Sequence, residues 1–349
     1  MIRIPDRIRK CLRWQVLVGV YVVLFLAYQV FTFLYIPPER HAKPKVIYIR
    51  PKTKFLTISR QLQDEGIIRS SFKFAILAKL TGSVNRIRAG EYELSPSMLP
   101  REVLNKLVSG WVIQHMVTIP EGYNIYQIAD TLDKEGLVKK QEFLARAFDQ
   151  DLILSLGLEG KSLEGYLFPD TYEFWRDMQT EDVLRKMTGR FKKIYSQKYA
   201  EEAKGQGLSM REVVTLASII EKETGVPGER RLISAVFHNR LRRSMPLQAD
   251  PTVIYGIRDF NGNLTRKDLQ TLTPYNTYII KGLPPGPIAC PGEEAIKAAL
   301  NPAKKRYLYF VSKNDGSHHF SSTLEAHQRA VAIYQKKPVS DVPASDTTD

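Results

Sequence analysis

The 349-residue sequence carries 51 Lys and Arg against 37 Asp and Glu, a net charge of +14, with only two cysteines, Cys11 and Cys290. So few cysteines exclude a disulfide-stapled or Cys-ligated scaffold, and the length supplies ample core for one large or two ordinary domains. A high basic charge is the usual mark of a nucleic-acid binder, a reading that the order of the elements argues against.

The first element is apolar. Trp14 to Ile36 run for 23 residues without a charged side chain. At 1.5 Å per residue that is about 34 Å of helix, enough to cross a hydrocarbon core of roughly 30 Å. Arg3, Arg7, Arg9, Lys10 and Arg13 precede it against one acid, Asp6. A positive flank stays in the cytoplasm, so residues 1–13 are expected inside and the bulk of the chain outside. Trp14 and Tyr35 stand where interfacial aromatics anchor a span. The run is too long for the apolar region of a signal peptide and ends in Phe33-Leu34-Tyr35 rather than in small residues, which favours a retained anchor. A single-pass protein of the cytoplasmic (inner) membrane, with an extracytoplasmic or periplasmic domain, is therefore expected. Residues 37–349 carry +10, on the wrong side of the membrane for nucleic acid. Acidic wall polymers and lipid headgroups are the polyanions available there, and a merely solvated basic surface fits equally well. Cys11 and Cys290 fall on opposite sides and cannot pair.

Residues 37–45, PPERHAKPK, read as a linker, and residues 338–349 as a polar, disordered tail. After the linker comes an internal repeat at an offset of 70 residues: Ile49 matches Ile119, Ile58 matches Ile128, Leu62 matches Leu132, and Glu65-Gly66 matches Glu135-Gly136. Each copy reads as strand, turn and a helix closed by Gly. Each is followed by a further helical pattern, over 72–80 and 143–152. The first copy continues through a strand in GEYEL to a helix at 100–108. These features delimit an α+β module over 46–112 and a module-like repeat, 113–155, opening a larger domain over 113–337.

From Leu163 the pattern changes. SLEGYLFPDTYEF is an aromatic loop and strand, and a helix is predicted over 181–198. Ser209 and Glu212 form a capping box for a helix that stops at Gly225, with Pro227 beyond. A helix over 229–243 carries SAVFHNRLRR, and Asn261-Gly262 signals a type I′ hairpin. GLPPGPIACPG, 282–292, is an irregular loop with restricted φ angles. A helix over 292–300 and a strand over 307–311 complete the domain.

On the helix ending at Thr224, Val213, Leu216, Ala217 and Ile220 form one apolar arc, and Thr215, Ser218 and Lys222 face away. Glu221 and Glu223 fall on opposite edges of that arc, in the last turn, where the helix dipole disfavours carboxylate charge. A half-buried Glu there would have the raised pKa of a general acid. Spacing alone does not choose between them, and pairing with Lys222 or Arg230 is the plainer explanation of either.

Six motifs occur in order over 163–329: LEGYLFPDTYEF, SIIEKETG, VFHNRL, MPLQADPTVIYG, TPYNTYIIKGLPPGPI and YLYFVSKNDGSHHFSST. Together they resemble the YceG-like (MltG-type) endolytic murein lytic transglycosylases. The resemblance implies an α+β fold: an N-terminal transmembrane helix, a LysM-like module, then a catalytic domain with a lysozyme-like helical core. It also implies cleavage of the MurNAc-β-1,4-GlcNAc bond of peptidoglycan to 1,6-anhydroMurNAc ends. In the wider lysozyme-like group the acid is a Glu followed by a small hydroxyl residue at a helix end. Glu223-Thr224 matches and Glu221-Lys222 does not, so the resemblance assigns catalysis to Glu223.

Aromatic faces and fixed polar groups for a glycan are expected from Glu164, Tyr166, Gln248, Tyr275, Asn276 and Tyr278, with Asp250 the candidate second carboxylate or a simple turn residue before Pro251. Asn239 is expected to bond backbone instead. His318, His319 and His327 have no zinc-site spacing and read as loop polarity. The resemblance implies no metal or cofactor. Many relatives have Asn where this chain has Cys290, which has no partner residues marking a nucleophile. Peptidoglycan strands, the membrane and peptidoglycan synthases are the expected partners. A hydrolytic muramidase and a non-catalytic wall-binding scaffold are the alternatives.

Overall fold

The computed structural model describes residues 6–335, with side chains from Trp14 onward. The expected tail and the side chains of the expected cytoplasmic segment lie outside the described residues. The fold is mixed α+β, with three two-stranded sheets among the described residues. The chain divides into two units, Met1–His115 with Trp175–Asp177, and Met116–Phe174 with Met178–Asp349.

In the first unit one helix spans Asp6–Tyr35. Its stretch Trp14–Tyr35, 22 residues of mean hydropathy 2.2, is long and apolar enough to cross a membrane. The helix end is not free. Phe33 is buried in the unit's core beside Ile47, Phe74 and Leu104, and the Lys73 ammonium donates to the Gln29 carbonyl and side chain. The segment expected as a linker is also tied down. Arg69 donates to the Pro37 carbonyl at 2.8 Å, Ser95 to that of Ala42 at 2.9 Å, and the Glu39 N–H to Pro96. A proline-rich stretch makes no ladder of its own, so its carbonyls take donors from the module. Strands Lys45–Ile49 and Gly90–Leu94 pair antiparallel, with Ile49 opposite Gly90. Helices Phe55–Asp64, Ser71–Leu80 and Pro100–Ser109 supply further core residues, among them Ile58, Leu62, Phe74 and Leu107.

In the second unit helix Ile125–Lys134 repeats Phe55–Asp64, burying Ile128 and Leu132 as the first copy buries Ile58 and Leu62. The closing glycines are left-handed in both, Gly66 at φ 75° and Gly136 at φ 67°. The pattern over 143–152 is two helices, Lys140–Ala147 and Gln150–Ser155, because Asp149 caps the second by accepting from the N–H groups of Asp151 and Leu152. A long helix follows over Thr180–Lys198.

The central helix, Met210–Glu223, starts at the Ser209–Glu212 capping box. It packs against helices Arg230–Arg242, Asp250–Gly256 and Glu293–Leu300. Every residue from Val213 to Ile220 is buried, so Thr215 and Ser218 do not face away as the periodicity predicts. The polarity of Ser218 is satisfied inside: its hydroxyl donates to the Thr215 carbonyl at 2.7 Å and accepts the Ile288 N–H at 3.0 Å. The hairpin expected at Asn261-Gly262 is also absent among the described residues. The Asn261 side chain accepts the Asn263 N–H, closing a local turn that no strand flanks. Strands Tyr309–Ser312 and His318–Ser321 form the last antiparallel pair, followed by helix Leu324–Tyr334.

Candidate active site

The two glutamates at the end of the central helix have different surroundings. Glu221 is engaged: Arg230 donates to one oxygen at 3.2 Å and the Gly292 N–H to the other at 2.9 Å. Glu223 makes no side-chain hydrogen bond among the described residues and opens into a cavity of about 460 Å³. Its carboxyl is pushed up to about 8, first by burial and second by the negative charge of Asp250, with Arg240 acting in the opposite direction. It is therefore protonated at neutral pH, where Glu221 is tied into an ion pair.

Arg240, Gln248, Asp250 and Tyr278 line the same cavity. Arg240 is fixed from several sides. It donates to the carbonyls of Leu308 at 2.7 Å and Leu247 at 2.9 Å and to the Gln248 side chain at 2.9 Å. Gln248 has φ 53°, a left-handed backbone uncommon outside glycine. Its N–H, donating to the Thr277 carbonyl, and its bond from Arg240 hold it there. Asp250 begins the helix Asp250–Gly256 and accepts the Tyr278 hydroxyl at 2.6 Å. The cavity thus combines a protonated acid, a fixed carboxylate, a fixed guanidinium and oriented amide and hydroxyl groups, a constellation suited to acid catalysis on a polar, uncharged bond.

A family model described as the YceG-like family matches residues 47–333. The chain belongs to the YceG-like family. It is 35% identical over 315 residues to a Bacillus subtilis protein named endolytic murein transglycosylase, covering 85% of this chain and 87% of that protein. A Streptococcus pneumoniae protein of the same name is 30% identical over 342 residues, which is 88% of this chain and 62% of the relative's length. A crystal structure of a yceG-like protein from Listeria monocytogenes is similar with a TM-score of 0.58 at 33% identity, covering 83% of this chain and 100% of that one.

In this YceG-like chain the residues expected to meet a glycan are not all together. Gln248, Asp250 and Tyr278 share the Glu223 cavity, whereas Glu164, Tyr166 and Tyr275 border a separate one of about 120 Å³. Three of these side chains are buried. Asn276 is fully buried, and its amide donates to the carbonyls of Leu269 and Thr271 at 3.0 and 2.7 Å, so it shapes its loop. Tyr166 is 2% exposed and packs edge-on to Phe191. Glu164, also 2% exposed, accepts the Ile125 N–H and the Tyr255 hydroxyl, at 3.1 Å from one oxygen in each case. Burial pushes its carboxyl up to about 7 against the pull of those donors. The buried Cys290 thiol donates to the same carboxyl at 3.7 Å, and burial raises its pKa, which is the opposite of an activated nucleophile. Asn239 donates to the carbonyls of Lys305 and Tyr307.

Sequence reasoning passed over three residues that line the Glu223 cavity: Arg240, His318 and His327. Arg240 had a signal, because it continues the buried stripe Ile233, Val236, Phe237 of its helix at positions where an apolar residue is expected. The histidines are not loop residues. His318 and His319 belong to a strand and His327 to a helix. The alternation of His318 and Phe320 on one strand face was the available sign.

Proposed function

We propose that this chain is a membrane-anchored endolytic lytic transglycosylase that cleaves MurNAc-β-1,4-GlcNAc bonds in nascent peptidoglycan strands, leaves 1,6-anhydroMurNAc ends and so terminates strand elongation. The names of the relatives support the substrate and the reaction. At the level of residues, one observation carries the reading: Glu223, held near 8 by burial and Asp250, faces an open cavity without a hydrogen-bond partner among the described residues.

Glu223 is the single catalytic acid. Its proton passes to the glycosidic oxygen as the bond from that oxygen to C1 breaks. The MurNAc 6-hydroxyl oxygen then attacks C1, and its proton returns to the Glu223 carboxylate, closing the cycle without water. Because the nucleophile belongs to the substrate, the attack gains the high effective molarity of an intramolecular step. It also needs no second carboxylate as nucleophile. Asp250 instead provides negative charge opposite the positive charge that develops at C1, and Tyr278 fixes its orientation. Gln248 and Tyr278 contact the glycan, and Tyr275 does so at the margin of the smaller cavity.

The module over 46–112 is read as LysM-like, and the domain over 113–337 as built on a lysozyme-like helical core. The buried central helix ending in Glu223 supports the second assignment. Trp14–Tyr35 is the single anchor, N-terminus in the cytoplasm, and the basic flank supports that orientation. Burial of Phe33 holds the module directly against the helix end, which supports work on strands leaving membrane-bound synthases, the proposed partners.

Digestion of purified glycan strands by wild type and Glu223→Gln tests the assignment. Wild type should shorten the strands, and the variant should lose about 100-fold or more of the rate, the contribution typical of a general acid. Equal shortening by both would remove Glu223 from the mechanism, and shortening by neither would favour the scaffold.

A further inference from the structure

The segment after Glu223 also shapes the cavity at a second point. Thr224 ends the central helix in extended backbone, its hydroxyl accepting the Val226 N–H at 3.0 Å, and a 3₁₀ turn, Pro227–Glu229, follows. Glu229 holds the strand His318–Ser321 by two bonds. One oxygen accepts the backbone N–H of His318 at 2.9 Å, and the other is 2.7 Å from the ring Nδ1. The two side chains are 12% and 14% exposed. A carboxylate only accepts, so Nδ1 carries the proton at this contact and Nε2 is the ring's free nitrogen. The ring stands edge-on to Phe310, 5.4 Å away, and both residues line the Glu223 cavity. Among the described residues Nε2 makes no hydrogen bond. Also lining the cavity, His327 stacks on Tyr309 with its Nδ1 buried and unpartnered among the described residues. Two imidazoles thus line one cavity, and that of His318 has a nitrogen without a protein partner among the described residues.

We propose that His318 is a substrate-contacting residue, its Nε2 bonding a hydroxyl or amide of the glycan beside the bond that Glu223 cleaves, and that Glu229 is the residue that positions the ring. This deepens the transglycosylase reading and rests on it. A sugar hydroxyl both donates and accepts, so it satisfies Nε2 in either protonation state. A carboxylate that fixes one imidazole nitrogen presents the other in a defined direction. Fastening the strand does not require the ring, because the backbone N–H of His318 already makes that bond.

Two amides separate contact from fastening. In place of His318, Asn reaches the position of Nδ1 and keeps the bond to Glu229, whereas Gln reaches the position of Nε2. The full chain in detergent is assayed for kcat and KM on glycan strands and for melting temperature. Binding of the same strands is measured in the Glu223→Gln background with and without each His318 change. His318→Asn should melt like wild type and lose about tenfold in kcat/KM and in binding, the worth of one good hydrogen bond, and His318→Gln should regain part of both. Undiminished binding and cleavage by His318→Asn, or a Gln variant no better than the Asn variant in either, would overturn the proposal. Because the binding arm is independent of turnover, failure of the Glu223 assignment shows up separately, as cleavage by Glu223→Gln itself.

Discussion

The Tyr278 hydroxyl donates to Asp250 at 2.6 Å, fixing a carboxylate whose charge reaches Glu223 in the same cavity. Burial is the larger cause of the raised Glu223 pKa and Asp250 the second, while Arg240 opposes both. A general acid must be protonated, so kcat/KM should fall as pH rises through about 8. Asp250→Asn removes one of the raising charges, so the alkaline limb should move to lower pH, by less than the whole displacement because burial remains. A limb that stays in place or moves upward would contradict this coupling.

The same group sets a pH dependence of stability. An unfolded Glu titrates at about 4.3, and Glu223 in the fold at about 8. Between those values the native state binds the extra proton, so stability falls as pH rises through this window and levels off above it. Gln does not ionise. The stability of Glu223→Gln relative to wild type should therefore increase as pH rises from 5 to 8 and level off above that. Melting temperatures of both proteins across that range are the check.

Glu221 should matter for stability rather than for activity. Arg230 donates to it, and its side chain is 6% exposed. Glu221→Gln keeps an acceptor for the Gly292 N–H but leaves Arg230 less well paired, costing about 1–3 kcal/mol. Its kcat/KM should remain within about tenfold of wild type, against the loss of about 100-fold or more for Glu223→Gln. Assaying the pair side by side, with melting curves, separates a structural from a catalytic carboxylate.

Gly165 follows the buried Glu164 at φ 83°, and an added Cβ would lie 2.6 Å from Pro287 and 2.8 Å from Val214 of the central helix. Gly165→Ala thus meets both an unfavourable backbone and a clash, and should destabilise by about 2–4 kcal/mol. Denaturant unfolding measures it.

The apolar helix, the 70-residue repeat and the capping box were legible because each is a local pattern: a period, a matching spacing, a pair three residues apart. Thr215 and Ser218 are buried against the periodicity; the Ser218 hydroxyl is satisfied by a carbonyl and an N–H inside the core, which periodicity does not register. The division of Gln248, Asp250 and Tyr278 from Glu164, Tyr166 and Tyr275 was not legible, since adjacent motifs fold to two different cavities. Nor was the role of Glu229, whose bond to His318 joins residues 89 apart in sequence. Glu221 and Glu223 could not be told apart by spacing; the structure distinguishes them by which one Arg230 takes.

The central claim is that Glu223 directs a substrate hydroxyl, and not water, onto C1. Digestion of glycan strands in water enriched in oxygen-18, followed by mass analysis of the new ends, tests it most directly. The account predicts 1,6-anhydroMurNAc ends carrying no heavy oxygen, formed by wild type and not by Glu223→Gln. Reducing MurNAc ends bearing oxygen-18 would contradict it and make the enzyme a hydrolytic muramidase.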